Sequence, residues 1–193
     1  LAVFSLCGAG TLFSECVHAQ SVFINELHYD NTGADVGEFV EVAGPAGTDL
    51  TGWTIVPYNG SNGASYTPIG TLTGSLPTSC GSLGVMSVNI AGLQNGSPDG
   101  IALVNAANVV VQFLSYEGAF AATNGAANGI TSTDIGVAEA GTEAVGQSLR
   151  LSGTGSVYTD FTWNANSVGA PASPGACNTG QSGGAGGGAP NLL

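Results

Sequence analysis

Lysine is absent and arginine occurs once, at Arg150, so this 193-residue chain sets one cation against 13 acidic residues, a formal net charge of −12. Proteins bind nucleic acid largely by neutralising phosphates with Lys and Arg, so unaided DNA or RNA binding is not expected. Divalent cations or cationic surfaces are the electrostatically natural partners. Histidine is nearly absent too: of the two present, only His28 lies beyond the first twenty residues. A Ser–His–Asp arrangement would have to run through it, and no G-x-S-x-G elbow accompanies it. Phosphoryl transfer needs cations aimed at the phosphate, which only a metal could supply here. A lone histidine without catalytic partners reads as a hydrogen-bonded residue on a half-buried strand. No apolar run reaches the roughly 20 clean residues of a membrane-spanning helix. The chain therefore reads as neither an enzyme nor a membrane-spanning protein.

Cysteine is scarce, four in all. Cys7 and Cys16 fall in residues 1–20, LAVFSLCGAGTLFSECVHAQ, an apolar stretch resembling the h-region and small-residue cleavage site of a secretory signal peptide. Val17 and Ala19 at the −3 and −1 positions fit cleavage before Gln20, although Glu15 is an awkward residue for such a segment. The alternative is a retained N-terminal strand or anchor. Cys80 and Cys177 remain, and an even pair in an exported chain suggests one disulfide closing a long loop. Two unpaired thiols are the other possibility. Two cysteines and one histidine, scattered, match no zinc spacing. The expected location is secreted, extracellular or cell-surface.

What the chain has in quantity is glycine, 32 residues, together with 43% hydrophobic residues and only 7% charged ones, against about 25% charged in ordinary soluble domains. Small side chains, frequent turns and a length of one domain describe an all-β protein. VFINELHYD (22–30) alternates at period two, with Phe23, Leu27 and Tyr29 set against Ile24, Glu26 and His28. Asp30, Asn31, Gly33 and Asp35 break it; Phe39, Val40 and Val42 resume, and GPAG (44–47) turns the chain. TIVPY (54–58) continues as a strand. SYTPIGTLTG (65–74) is an edge strand or an irregular one because of Pro68, and 76–80 reads as loop. LGVMSVNI (83–90) is a buried strand. IALVN (101–105) and VVVQFLSYEG (109–118) form a hairpin, the second arm being the most apolar and therefore central. Residues 119–146 are an excursion over one face. SLRLSG (148–153) and DFTWNA (160–165) are the last strands, ASPGACNTGQ leads out of the domain, and residues 182–193 are a flexible glycine linker that something would follow. The expectation is one domain, residues 21–181, an immunoglobulin-like β-sandwich of about eight or nine short strands.

The run VFINELHYD, then GEFVEVAGPAGTDLTGW, resembles the lamin tail domain, in which an I-N-E-type strand precedes an E-[FYW]-[VI]-E-[LIV] strand and an L-x-G-W strand. LQNGSPDGIALV, VVQFLSYEG, TSTDIGV, GQSLRL and SPGACNTGQ resemble the bacterial version, over residues 22–181. The resemblance implies an immunoglobulin-like sandwich in a secreted or surface protein, often beside extracellular nuclease or phosphoesterase domains. No such domain is evident in this chain.

For chemistry, the acidic loop stands out. Asp30, Asn31, Asp35 and Glu38 cluster within nine residues, with Gly33 and Gly37 allowing tight backbone, and calcium takes six to eight oxygen ligands from loops of this kind. Glu26 and Glu41 on the flanking strands could add carboxylates. The spacing is not that of the helical calcium loop, and Asp and Asn also simply make local turns. Glu26 and Glu41 have a second reading, as buried carboxyls accepting backbone N–H bonds or pairing with Arg150. Trp53 and Trp163 read as core plugs. Asn59-Gly60-Ser61 and Asn95-Gly96-Ser97 match the glycosylation sequon, which turns of this composition also produce by chance. Three functions fit: a non-catalytic secreted module that binds or positions a protein or cell-surface partner for a larger extracellular protein; a self-assembling fibre, sheath or surface-layer subunit; and a fragment of a metal-dependent extracellular nuclease.

Overall fold

A computed structural model describes residues 20–165 and 171–184; positions 1–19 of the expected signal segment and 185–193 of the expected linker lie outside them. The strands are β1 (Phe23–His28), β2 (Phe39–Pro45), β3 (Thr54–Asn59), β4 (Ala64–Ser65), β5 (Gly70–Thr71), β6 (Thr78–Cys80), β7 (Leu83–Asn89), β8 (Asp99–Val104), β9 (Val110–Tyr116), β10 (Thr133–Asp134), β11 (Leu149–Gly155), β12 (Phe161–Asn164) and β13 (Gln181–Gly183). Eight of these reach four residues or more, matching the expected count, and the other five are stubs of two or three. They form two sheets. One runs β12-β11-β1-β2-β7-β6 with β13 beside β11; the other runs β10-β9-β8-β3-β4 with β5 beside β3. The protein is an all-β, two-sheet sandwich. No helix among the described residues is long and apolar enough to cross a membrane.

The strands form where β-branched and aromatic residues alternate with residues of the opposite face. Ile24, Leu27 and Tyr29, Val40 and Val42, Ile55, Ile101 and Leu103, Leu114 and Tyr116, and Leu149 meet in the core between the sheets. Tyr29 and Tyr116 stack there with ring centroids 3.8 Å apart. As expected, the VVVQFLSYEG arm is interior to its sheet: β9 pairs with both β8 and β10. Trp53 and Trp163 pack on this core half-buried, so they border it and do not plug it.

Both sheets are covered on their outer faces as well, which explains the long hydrophobic runs. Val56, Tyr58, Ala102, Val104 and Phe113 form a cluster closed by Ala122 and Ala127 of the excursion. The excursion thus does lie over a face, and its glycines and alanines let the backbone come close. The first sheet carries a further cluster of Phe23, Ala43, Cys80, Leu83, Val85, Leu151 and Phe161, against which Tyr158 and Cys177 pack.

The fold differs from the sequence expectation at three places. The β1–β2 register shifts between Ile24 and Glu26. This bulge puts Phe23 in the outer cluster, away from Leu27 and Tyr29, with which simple alternation groups it. Residues 76–80, expected as loop, contain β6. The 65–74 segment is irregular, as expected, with the stubs β4 and β5 on either side of Pro68. ASPGACNTGQ does not lead away; it crosses the first sheet and continues as β13, parallel to β11, so that Ser182 and Gly183 belong to a strand and not to a linker.

Candidate functional site

Three groups of polar residues carry the chemistry available to this chain. The first is the acidic loop joining β1 and β2. Its amide and carboxyl groups are largely used in holding the loop. Asn31 Nδ2 donates to the carbonyls of Thr32 (3.1 Å) and Ala34 (3.0 Å), and its Oδ1 accepts from Val36 N at 3.0 Å. Asp35 accepts from Asn31 N at 3.4 Å and from Asn95 Nδ2 at 3.3 Å. Glu38 is buried and turned to the β7–β8 loop, where its Oε2 accepts from Gly92 N at 2.7 Å. Asp30 stands beside Asp35; burial first and the Asp35 charge second raise its carboxyl above the ordinary aspartate range. Of the four residues proposed as calcium ligands, the structure thus brings Asp30 and Asp35 together, spends Asn31 within the loop and directs Glu38 to Gly92. Among the described residues, no three His, Cys, Asp or Glu side chains are grouped to hold a metal ion.

Beside this loop lie Glu117 and Asp99. Burial, followed by the Asp30 and Asp99 charges, raises Glu117. Asp99 Oδ1 accepts from Gly60 N at 3.0 Å, and burial raises its carboxyl as well. This end of the sandwich therefore gathers acids from three connections.

The second group centres on His28. It is buried, with Nδ1 2.9 Å from Glu139 Oε1 and Nε2 3.3 Å from Asn31 Oδ1 and 3.2 Å from the Val36 carbonyl. Acceptors at both ring nitrogens favour the imidazolium, and although burial opposes it, the Glu139 hydrogen bond and charge raise the ring above its ordinary value. Glu139 Oε2 also accepts the backbone N–H groups of Tyr29 (2.7 Å) and Asp30 (2.8 Å), while Glu139 N donates to Tyr29 Oη at 2.7 Å. One buried carboxylate thus ties the 135–147 segment to the end of β1. Sequence reasoning anticipates a hydrogen-bonded structural His28 but not Glu139, which sits in a stretch without periodicity, 111 residues away. Its only local sign is an isolated acid among alanines and glycines.

The third group covers the outer face of the first sheet. Glu26 is the cross-strand partner of both Glu41 and Arg150, so the three side chains leave the sheet on one face. All three are buried. Residues 171–181 lie over them. Ser173 N donates to Glu26 Oε1 at 3.0 Å and Gly175 N to Glu41 Oε2 at 2.6 Å; Arg150 Nη1 donates to the Pro171 carbonyl at 3.0 Å. Ser148 Oγ donates to Glu26. Asn25 donates to Glu41 Oε1 at 2.8 Å and exchanges amide hydrogen bonds with Gln181, at 2.6 and 3.2 Å. Asn178 Nδ2 donates to the carbonyls of Asn25 (3.2 Å) and Leu151 (3.1 Å). Burial raises Glu26, and burial above all pushes Glu41 up to about 8. The expectation that Glu26 and Glu41 accept backbone N–H bonds near Arg150 is met; neither turns to the acidic loop.

Cys80 and Cys177 are disulfide-bonded, with Cα atoms 5.0 Å apart, as expected from the cysteine count. The bond fixes this outer segment to β6. Comparison with known protein families, curated proteins and solved structures finds no match.

Proposed function

We propose that this chain is a non-catalytic, secreted binding or positioning module of a larger extracellular protein. The observation that carries the reading is the state of His28. The one histidine among the described residues has both ring nitrogens on buried acceptors, so no ring nitrogen is turned to a hydroxyl or thiol that it could activate. The one Lys or Arg side chain, Arg150, is buried under residues 171–181, where its Nη1 donates to the Pro171 carbonyl. What the surface offers instead is charge: Asp30, Asp35 and Glu117 at one end of the sandwich, a field suited to a cationic protein surface or to calcium. The resemblance to lamin tail domains supports the same reading, including an immunoglobulin-like type of sandwich. The outermost strands, β12, β6, β10 and β4, have four residues or fewer, too short to template long strand-to-strand association.

The test has two arms. The purified chain is incubated with DNA and with a phosphodiester in calcium or magnesium; no turnover is expected, and cleavage would refute the non-catalytic reading. Its binding to a polylysine surface, with and without calcium, is then compared with Asp30→Asn/Asp35→Asn. Binding screened by salt and weakened in the variant is expected; equal binding by both proteins would remove the acidic end as the docking surface.

A further inference from the structure

The outer-face network contains one more oxygen-to-oxygen contact than it has evident protons. Asn178 Nδ2 spends both its hydrogens on the carbonyls of Asn25 and Leu151, which can only accept. Its Oδ1 is therefore the atom facing Ser173 Oγ at 2.8 Å, and the serine hydroxyl must donate there. Ser173 Oγ also lies 3.1 Å from Glu26 Oε2. A hydroxyl has one hydrogen, already committed, so this contact is a hydrogen bond only if the proton comes from the carboxyl. On the other oxygen, Glu26 Oε1 accepts from Ser148 Oγ and from Ser173 N at 3.0 Å, and the same N–H reaches Oε2 only at 3.3 Å. Glu41 differs in having a separate N–H donor for each oxygen, Asn25 Nδ2 and Gly175 N. Two cross-strand carboxyls thus lie side by side, one with its own donor at each oxygen and the other with Oε2 facing a hydroxyl whose hydrogen is already committed.

We propose that Glu26 is held as a neutral carboxylic acid whose Oε2 proton latches residues 171–183 onto the sheet, and that loss of this proton releases the strap, which the Cys80–Cys177 bond keeps tethered. The ionisable groups facing Glu26 are Glu41 from β2 and Arg150 from β11; the strap brings no free titratable side chain. Arg150 favours ionisation of Glu26, while burial opposes it more strongly, and the direction is upward. In the closed strap Glu26 keeps its proton above the ordinary range, and in the released strap it meets water and loses it. Release is then coupled to the Glu26 proton and to that of Glu41, which burial under the same strap also raises. The strap is tight in mild acid and loosens as pH rises from the ordinary glutamate value, about 4.5, through the raised ones. Over that window its opening constant grows about tenfold per pH unit for each proton released, and it levels off above. Opening exposes a row of Asn25, Glu26 and Glu41 without unfolding the inter-sheet core, which shares no residue with the strap.

The experiment is amide hydrogen exchange of residues 171–184 against pH, corrected for intrinsic exchange, with carbon-13 NMR of labelled glutamate carboxyls in the same protein. The expected result is a Glu26 carboxyl that keeps its protonated position above the ordinary glutamate value, about 4.5, and strap protection that falls with the slope above while the core strands stay protected. Glu26→Gln supplies a permanent N–H donor to Ser173 Oγ, so its slope should be lower by one proton. A Glu26 carboxyl that titrates at or below the ordinary glutamate value, or an unchanged slope in Glu26→Gln, would overturn the proposal. The NMR measurement on the unmodified chain stands even if the variant does not fold.

Discussion

Removing the Cys80–Cys177 bond tests how the outer layer is attached to the sandwich. The two residues are 97 positions apart, and in the chain-entropy account closing a loop of that size stabilises the folded state by about 4–5 kcal/mol. For a domain of this size each kcal/mol moves the melting temperature by about 2–4 °C. Cys80→Ala/Cys177→Ala should therefore melt roughly 8–20 °C below the parent chain, with the same direction on reduction. The order of events follows from placement. Both cysteines belong to the cluster of Phe23, Ala43, Leu83, Val85, Leu151 and Phe161, outside the inter-sheet core. Hydrogen exchange in the reduced protein should rise first in residues 171–184 and β6, and only later in β1, β2 and β8. The assays are differential scanning calorimetry and exchange with peptide resolution, after intact-mass analysis of the unreduced, unfolded chain under alkylating conditions. Two alkylatable thiols in that sample would refute the bond. A melting shift below about 3 °C would refute the entropic reasoning behind it.

Glu139→Ala removes the partner of His28 Nδ1 and of two backbone N–H groups. Breaking a buried pair from one side costs about 3–5 kcal/mol, measured as a shift in urea midpoint; a loss under about 1 kcal/mol would mean that water replaces the carboxylate. Stability should fall as pH rises from 5 to 8.5, because the groups with raised values all act in that direction. His28 contributes fully below its unfolded value, about 6.5, and loses that contribution as pH passes its raised folded value. Glu41 contributes below the ordinary 4.5 and loses it up to about 8. Among the described residues, the exposed Asp49 and Asp160 are lowered; urea midpoints rising across that interval would contradict the assignment. At Gly60 an added Cβ would stand 2.1 Å from the Pro98 carbonyl oxygen and 2.9 Å from the Phe120 ring. Gly60→Ala should therefore cost at least about 1–3 kcal/mol by chemical denaturation, and an unchanged midpoint would show that the β3–β4 turn shifts freely.

The sequence shows the strands because apolar runs rich in β-branched and aromatic residues lie between turn-forming residues, as in IALVN and VVVQFLSYEG, and that signal is local. It also shows the disulfide, since two cysteines in the described region leave one pairing. It does not show which strands are covered twice. Ala102, Val104 and Phe113 on one sheet, and Ala43, Val85 and Leu151 on the other, read as continuous apolar runs whose second cover comes from alanine- and glycine-rich segments without periodicity. The Asn25 bulge is equally silent, since one inserted residue in a ladder changes no composition. In the candidate site, the local turns around Asn31 and Asp35 follow from residue type. The destinations of Glu38 and Glu139 do not, because their partners lie 54 and 110 residues away.

Those long-range partners follow a rule that the composition imposes. A chain with a single Lys or Arg cannot neutralise most of its buried acids by ion pairs, yet Glu26, Glu38, Glu41, Asp99 and Glu139 are all buried. Each accepts a backbone N–H from a connection remote in sequence: Ser173 at a separation of 147, Gly92 at 54, Gly175 at 134, Gly60 at 39 and Tyr29 at 110. Loops crossing a sheet leave N–H donors otherwise unpaired, and a buried carboxyl oxygen satisfies them. The acids therefore act as clamps that fix irregular segments over a regular scaffold. A clamp of this kind depends on its carboxyl's proton occupancy and little on ionic strength, which is why the strap over Glu26 and Glu41 responds to pH. In a glycine-rich, cation-poor β-sandwich, an isolated Glu or Asp within an apolar strand thus marks the place where a distant loop is held.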